Sequence, residues 1–326
     1  AGGFGDDDES IIKCGSYTGT GATGNAINLG FEPQWVLVKR TDSADDWNMQ
    51  DMIRSGFLRS NTSEAELGGT GWFNVAGDNL FPTATGFQIN TPGAEWNASG
   101  GNYIYIAIRR PMKTPESGTE VFTPTFGTGS GFNFIAGFPV DMAIIKDKDN
   151  VVTSYASARL NSGTLLSTAS TAAEFANAPA VFDSQVGYYE SSLGSNYIGW
   201  MFKRATGFFD VVAYTGTGST GRTVNHNLGV KPELIISKRR NASDNWWVGQ
   251  GFTSTQVDHL LLLESSNGDA VSNDTYPAVR YYNEPTSTSY TIVADNSING
   301  SGDTYIAYLF ATLAGVSKVG SYTGTG

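Results

Sequence analysis

The heptapeptide GSYTGTG fills residues 15–21 and returns at residues 320–326. A seven-residue identity is improbable by chance even in a chain with 40 glycines. A repeat overlooked at this point would misassign the whole fold. The motif recurs as YTGTG at 214–218 and, in degenerate form, as FGTG at 126–129. A turn signal comes later within each copy: LGFEP (29–33), GFP (137–139) and LGVKP (228–232). Next is an apolar run ending in lysine, WVLVK (35–39), MAIIK (142–146) and LIISK (234–238). Each copy closes on NYIYIAIRR (102–110), NYIGWMFKR (196–204) or TYIAYLFAT (304–312). Four markers in one order, three times over, define an internal triplication. The first glycine of each GTG lies at 19, 127, 216 and 324, so the unit is roughly 90–110 residues long.

The markers set the expected boundaries. An acidic leader or connector covers 1–9, a first repeat 10–114, a linker 115–117, a second and divergent repeat 118–207, and a third repeat 208–315. Residues 316–326 are expected to form the first strand of an incomplete fourth repeat. Units of about 100 residues match the usual domain size. Charged residues are only 16% and aromatics reach 12%, with abundant Gly, Ser, Thr and Asn. That is the profile of an all-β extracellular or virion protein. A net charge of −11 argues against a nucleic-acid backbone as partner, because phosphates demand clustered Lys and Arg. No apolar run approaches the roughly 18 residues of a membrane helix, and no signal peptide is visible. Cys14 is the only cysteine, so no intrachain disulfide forms. Stability must come from burial, strand pairing and assembly. The composition favours folding in a host cytoplasm with release by lysis.

Every unit reads as strands. Residues 12–18 lead into the Gly-Thr-Gly turn and 26–29 lead into Gly30 and Pro33. Glycine tolerates positive φ and proline removes a ladder donor, so the pair breaks the chain direction. Residues 34–39 form a buried strand, 40–46 a polar tip and 47–53 its hairpin partner. In the third copy Trp246 takes the place of Trp47, eight residues after the lysine in both, and at least partial burial is expected of the pair. Alternating strands come next at 86–90, 186–190 and 289–294, then a Gly/Asn/Ser gap (97–102, 296–303), then the closing strand. Residues 170–178 are the one place where a short helix is expected. The fold class is therefore all-β: a tandem array of three β-sandwich-like repeat domains with the start of a fourth. The short connections at 110–119, 203–208 and 311–316 favour close packing of neighbours.

Little in the chain carries chemistry. His226 and His259 are the only histidines, which leaves little raw material for a Ser-His-Asp triad or a zinc site. His226 is expected to serve a turn. The acidic run 6–9 and the tip residues Asp42, Asp45 and Asp46 offer oxygens to calcium, yet neither matches the calcium-loop pattern, and solvated turns account for them. Strand-face carboxylates for a glycosidase pair are scarce. Gly-Thr-Gly lacks the helix and Gly-Lys-Ser/Thr of a phosphate loop, so it is a β-turn signal. The recurring Lys39, Lys146 and Lys238 read as solvated strand ends. No catalytic, cofactor-binding or metal residues are expected.

The string YTGTG, then LGFEP or LGVKP, then WVLVKR or LIISKRR, a polar tip, a tryptophan, and GDTYIAYLFA leading to SKVGSYTGTG resembles tandem modules of large virion proteins of tailed bacteriophages, marine ones especially. Such proteins are described as tail-fibre-like or as carrying phage structural domains. The resemblance covers nearly the whole chain and is strongest for copies one and three; copy two loses the tyrosine and one residue before its proline. It implies a non-enzymatic structural or adhesive component of a virion tail fibre or appendage. It also implies self-association, a trimer most often among phage fibres, together with contacts to other virion proteins. An extracellular polysaccharide-acting enzyme (a depolymerase) and a cellular surface adhesin or filament subunit are the competing readings. Internal repetition favours the fibre, because active sites are rarely triplicated with their acidic residues scrambled.

Recognition of a host-surface glycan or protein is expected in segments that differ between copies, since packing constrains strands and frees loops. These are 68–82, 92–101, 165–183 and 265–285. Trp72, Phe73, Trp96, Tyr276, Tyr281 and Tyr282 lie there beside Asn, Ser and Gly, and flat rings with polar neighbours suit the faces of sugars. The alternative is that these rings cap the sandwiches or seal contacts between chains.

Overall fold

Isoleucine, valine and tyrosine at alternate positions favour strands whose two faces meet different surroundings. The computed structural model describes residues 11–52, 56–67, 79–111, 113–129, 134–161, 163–176, 181–182, 184–190, 193–252, 257–266 and 281–325. The chain is nearly all β, in several antiparallel sheets. It divides into two compact units, Ala1–Pro111 with Asn161–Gly163, and Met112–Leu160 with Thr164–Gly326.

In the first unit the opening strand Ile12–Thr18 pairs with the closing strand Asn102–Arg109. The closing strand also pairs with the lysine strand Pro33–Arg40, which pairs with the return strand Trp47–Asp51, and that in turn with the edge strand Leu58–Arg59. A second sheet joins Asn25–Asn28, Gly86–Ile89 and Leu80–Thr83. Val36, Val38, Phe87, Ile89, Trp96, Tyr103, Tyr105 and Ala107 are buried, and Phe87 meets Tyr17 and Tyr105 edge to face.

The second unit repeats this strand order twice. Phe122–Phe126, Tyr197–Phe202, Met142–Asp147, Tyr155–Ala158 and Thr164–Ser167 are neighbours in the order opening, closing, lysine, return and edge, with Phe175–Ala176 added at the rim. Phe209–Thr215, Thr304–Phe310, Leu234–Arg239, Trp246–Phe252 and Val257–Leu262 take the same order. Two-stranded sheets, Phe134–Ile135 with Gly187–Tyr188 and Arg222–Asn225 with Ser289–Ile292, lie with them. Each copy has its own core, Phe134, Ile145, Leu165, Phe182 and Met201 in the second, Leu228, Ile235, Trp247, Tyr290 and Leu309 in the third.

The GTG motif wraps a one-turn helix. Tyr17 stacks on Tyr103 at 4.8 Å and donates to the Trp96 carbonyl; Tyr214 stacks on Tyr305 at 5.2 Å and donates to the Ile298 carbonyl. The buried amide of Asn97 accepts from Thr20 N and donates to the Ala22 and Thr91 carbonyls. Asn299 does the same with Thr217, Ser219 and Val293. A Cβ at Gly19 would lie 2.1 Å from the Ala98 oxygen, and one at Gly216 equally close to the Gly300 oxygen. The motif is conserved between copies because a turn must pass against a backbone carbonyl there.

Three expectations are corrected. The gaps at 97–102 and 296–303 are preceded or begun by the short helices Ala94–Asn97 and Asn296–Asn299. The described part of 170–178 is no helix: residues 171–174 run to the rim strand Phe175–Ala176, because Phe175 and Ala176 pair with Leu165 and Thr164. Residues 318–325 form no strand. In every copy the opening strand hydrogen-bonds to its own closing strand, and among the described residues no strand pairs with the segment around Tyr322, which is 95% exposed.

Candidate functional site

Trp96, Tyr281 and Tyr282, read as recognition candidates, are buried, which corrects that expectation. Trp96 packs edge to face on Phe57 at 5.2 Å, and Tyr281 lies 4.5 Å from Trp247. Tyr282 sits between Phe252 and Tyr290. A large ring gains more by filling the sandwich than by facing water. Trp72, Phe73 and Tyr276 lie outside the described residues, as does the acidic run 6–9.

The other candidates are engaged structurally. Asp42 pairs with Arg40 at 2.7 Å, which holds its carboxyl below the usual range, and Asp46 faces Arg59 at 3.3 Å. His226 is buried with Nδ1 accepting from Leu228 N, and burial lowers its pKa, so the ring stays neutral. His259 belongs to the edge strand Val257–Leu262, with Gln250 as its ladder partner. Among the described residues no cluster of His, Cys, Asp or Glu is placed to hold a metal ion. No helix there is long and apolar enough to cross a membrane.

What the second unit does assemble is a desolvated junction between copies two and three. Arg159 Nε donates to Asp141 at 3.2 Å, Asp141 accepts from Arg204 N at 2.7 Å, and Arg204 Nε reaches Asp210 at 2.5 Å. The second oxygen of Asp210 accepts from Asn227 N. Arg204 and Asp210 are both nearly inaccessible, so each charge depends on the other for solvation. They flank a tight elbow in which Ala205 and Phe209 bridge and Gly207 takes a φ of 78°. Phe202 lies 5.4 Å from Phe209 and 6.1 Å from Phe310 across the same boundary.

A hairpin arm of copy two, 164–176, lies on the outer sheet face of copy three. Trp246 Nε1 donates to the Ser167 carbonyl at 2.8 Å. Lys238 Nζ donates to the carbonyls of Thr171 and Asp244, and Arg240 Nε to Glu174 at 2.8 Å. Backbone bonds Asp244 N to Thr171 O and Glu174 N to Arg240 O complete the seam. Lys238 therefore does not extend into water as expected; it is fully buried, and burial draws its pKa down to about 8, partly offset by Asp244 and Glu264. Lys39 and Lys146 donate instead to carbonyls within their own copies, Arg40 and Val152.

Arg159, Arg204, Asp210 and Glu174 escaped the sequence reading because none stands at a position that all three copies of the four recurring markers share. Asn97 and Asn299 did leave a signal: NASG at 97–100 and NGSG at 299–302 share an N-x-S-G pattern.

A protein family described as a domain of unknown function (DUF7483) matches two stretches of the chain, residues 7–111 and 202–326. The two stretches hold copies one and three with their GTG clasps, and the divergent copy two lies between them. Comparison with curated proteins and with solved structures gave no match.

Proposed function

The chain belongs to the DUF7483 family, and on that premise we propose that its copies are structural modules of a tailed-phage virion, a segment of a tail fibre or appendage. The module holds its neighbour at a fixed spacing and carries out no catalysis. One observation carries this reading: the junction of copies two and three is desolvated and charge-paired through Arg204–Asp210 and Arg240–Glu174. Breaking such a pair strands a charge, so the arrangement favours one relative placement over all others. Supporting it are the structural engagement of Asp42, Asp46 and His226 and the likeness of the repeated string to virion modules. Attachment to the host surface and contacts with other virion proteins extend the same reading.

The test uses antibodies against the chain and electron microscopy of intact particles. Labelling confined to particle appendages, with adsorption to host cells reduced, is the expected result. Bare particles with labelled host envelopes contradict the assignment, as does depolymerisation of a host polysaccharide by the purified chain.

A further inference from the structure

The face that copy two covers on copy three is open on copy one. In copy three it is built from three cross-strand rungs: Phe209, Phe310, Leu234, Gln250; Val211, Tyr308, Ile236, Val248; and Ala213, Ile306, Lys238, Trp246. The matching rungs of copy one are Ile12, Ile108, Trp35, Asp51; Cys14, Ile106, Leu37, Met49; and Ser16, Ile104, Lys39, Trp47. Trp246, Ile306 and Tyr308 are at most 2% exposed, whereas Trp47, Ile104 and Ile106 are 36%, 41% and 37% exposed and Ile12 is 58% exposed. A largely apolar sheet face of this kind, with Asp51, Ser16 and Lys39 at its margins, marks an interaction surface.

The chain itself holds the clue to the occupant. On copy three that occupant is the preceding module, and Trp47 and Lys39 stand on copy one where Trp246 and Lys238 donate to that module's carbonyls. The exit from copy three also repeats the exit from copy two. Leu313 and Ser317 bridge as Ala205 and Phe209 do, and Gly315 has a φ of 77° against 78° at Gly207. Past that elbow the sequence KVGSYTGTG (318–326) differs from KCGSYTGTG (13–21) at one position only. The exit elbow of copy three thus leads into the sequence of a copy-one opening strand.

We propose that the outer face of the first sheet, centred on Ile106, Leu37, Trp47 and Cys14, is an interface with a second copy of this chain, which seats its copy three there as copy two is seated on copy three. The contact is head to tail and joins unlike surfaces, so it continues past two copies, into a ring or an open row, rather than closing at two. The inference rests on the reading of the copies as structural modules, and it adds the partner and the face.

The experiment is sedimentation of the full chain over a range of micromolar concentrations, with thiol labelling of Cys14, the sole cysteine. Average mass should climb past that of two copies, and Cys14 should react fast when dilute and become protected as mass rises. Ile106→Lys should weaken association at least about tenfold, while Val151→Lys, on a fully exposed turn residue of copy two, leaves it unchanged. Melting temperature verifies that Ile106→Lys is folded; if it is not, Cys14 protection in the unaltered chain decides. A monomer at every concentration overturns the inference, and so does a dimer that stops at two or association indifferent to Ile106→Lys. Appendage labelling on particles together with a strictly monomeric chain would overturn this interface and leave the proposed function standing.

Discussion

Trp47 and Trp246 hold the same rung of the same sheet, each opposite the recurring lysine, Lys39 or Lys238. One is 36% exposed and the other 1%. Their strand pairing and register agree; the difference is a hairpin arm packed on one and not on the other. Burial is therefore a property of the neighbour as well as of the strand, and a module of this kind changes from soluble face to core face when another docks.

The widest expected gap is between those two residues. Trp246→Ala should lower stability by about 3–5 kcal/mol, the range for a fully buried tryptophan. Trp47→Ala in the dilute chain should stay within about 1 kcal/mol, as a surface change does. Urea unfolding monitored by circular dichroism measures both, and similar losses would dissolve the comparison. Arg204→Ala should rank close to Trp246→Ala, costing about 3–5 kcal/mol by leaving Asp210 buried without its partner. The more accessible Arg40–Asp42 pair of copy one is its contrast, and Arg40→Ala should shift the same unfolding curve far less.

A smaller contrast separates clasped and unclasped copies of one motif. Gly216→Ala drives a methyl into the Gly300 carbonyl and should cost about 1–3 kcal/mol. Gly324 has nothing within 4 Å, so Gly324→Ala should remain within about 0.5 kcal/mol in a thermal melt.

A further contrast is a pH slope. Lys238 has its pKa drawn down to about 8 in the folded chain against an ordinary 10.5. Between those values the unfolded chain binds the extra proton, so stability rises with pH across that window and Lys238→Met flattens the rise. The opposite sign governs pH above 10. Tyr17, Tyr188, Tyr214 and Tyr290 have pKa values raised by burial, so the unfolded chain ionises first and stability falls. Denaturant midpoints collected from pH 7 to 11 test both signs.

Much of this architecture was legible from four recurring markers, because repeated turns and lysine-ended strands fix the same sheet order each time. The rungs that carry Trp47 and Trp246 were legible too. Their unequal burial was not, since nothing near either tryptophan encodes whether an arm lies over it. The one-turn helices at Ala94–Asn97 and Asn296–Asn299 are too short to leave a helical period. For Trp96 and Tyr281 polar neighbours left two readings open, a recognition surface or rings that cap the sandwich, and their burial agrees with the second. Arg204 and Asp210 sit six residues apart across an elbow, a spacing that signals nothing until the chain turns.

The most direct test of the central claim is hydroxyl-radical footprinting of the dilute full chain, comparing oxidation at Trp47 and Trp246 by mass spectrometry. The account predicts rapid modification of Trp47 and strong protection of Trp246, with Trp246 becoming reactive in Arg204→Ala. Equal oxidation of the two tryptophans in the unaltered chain would contradict it, because the arm of copy two would then not be covering the sheet face of copy three.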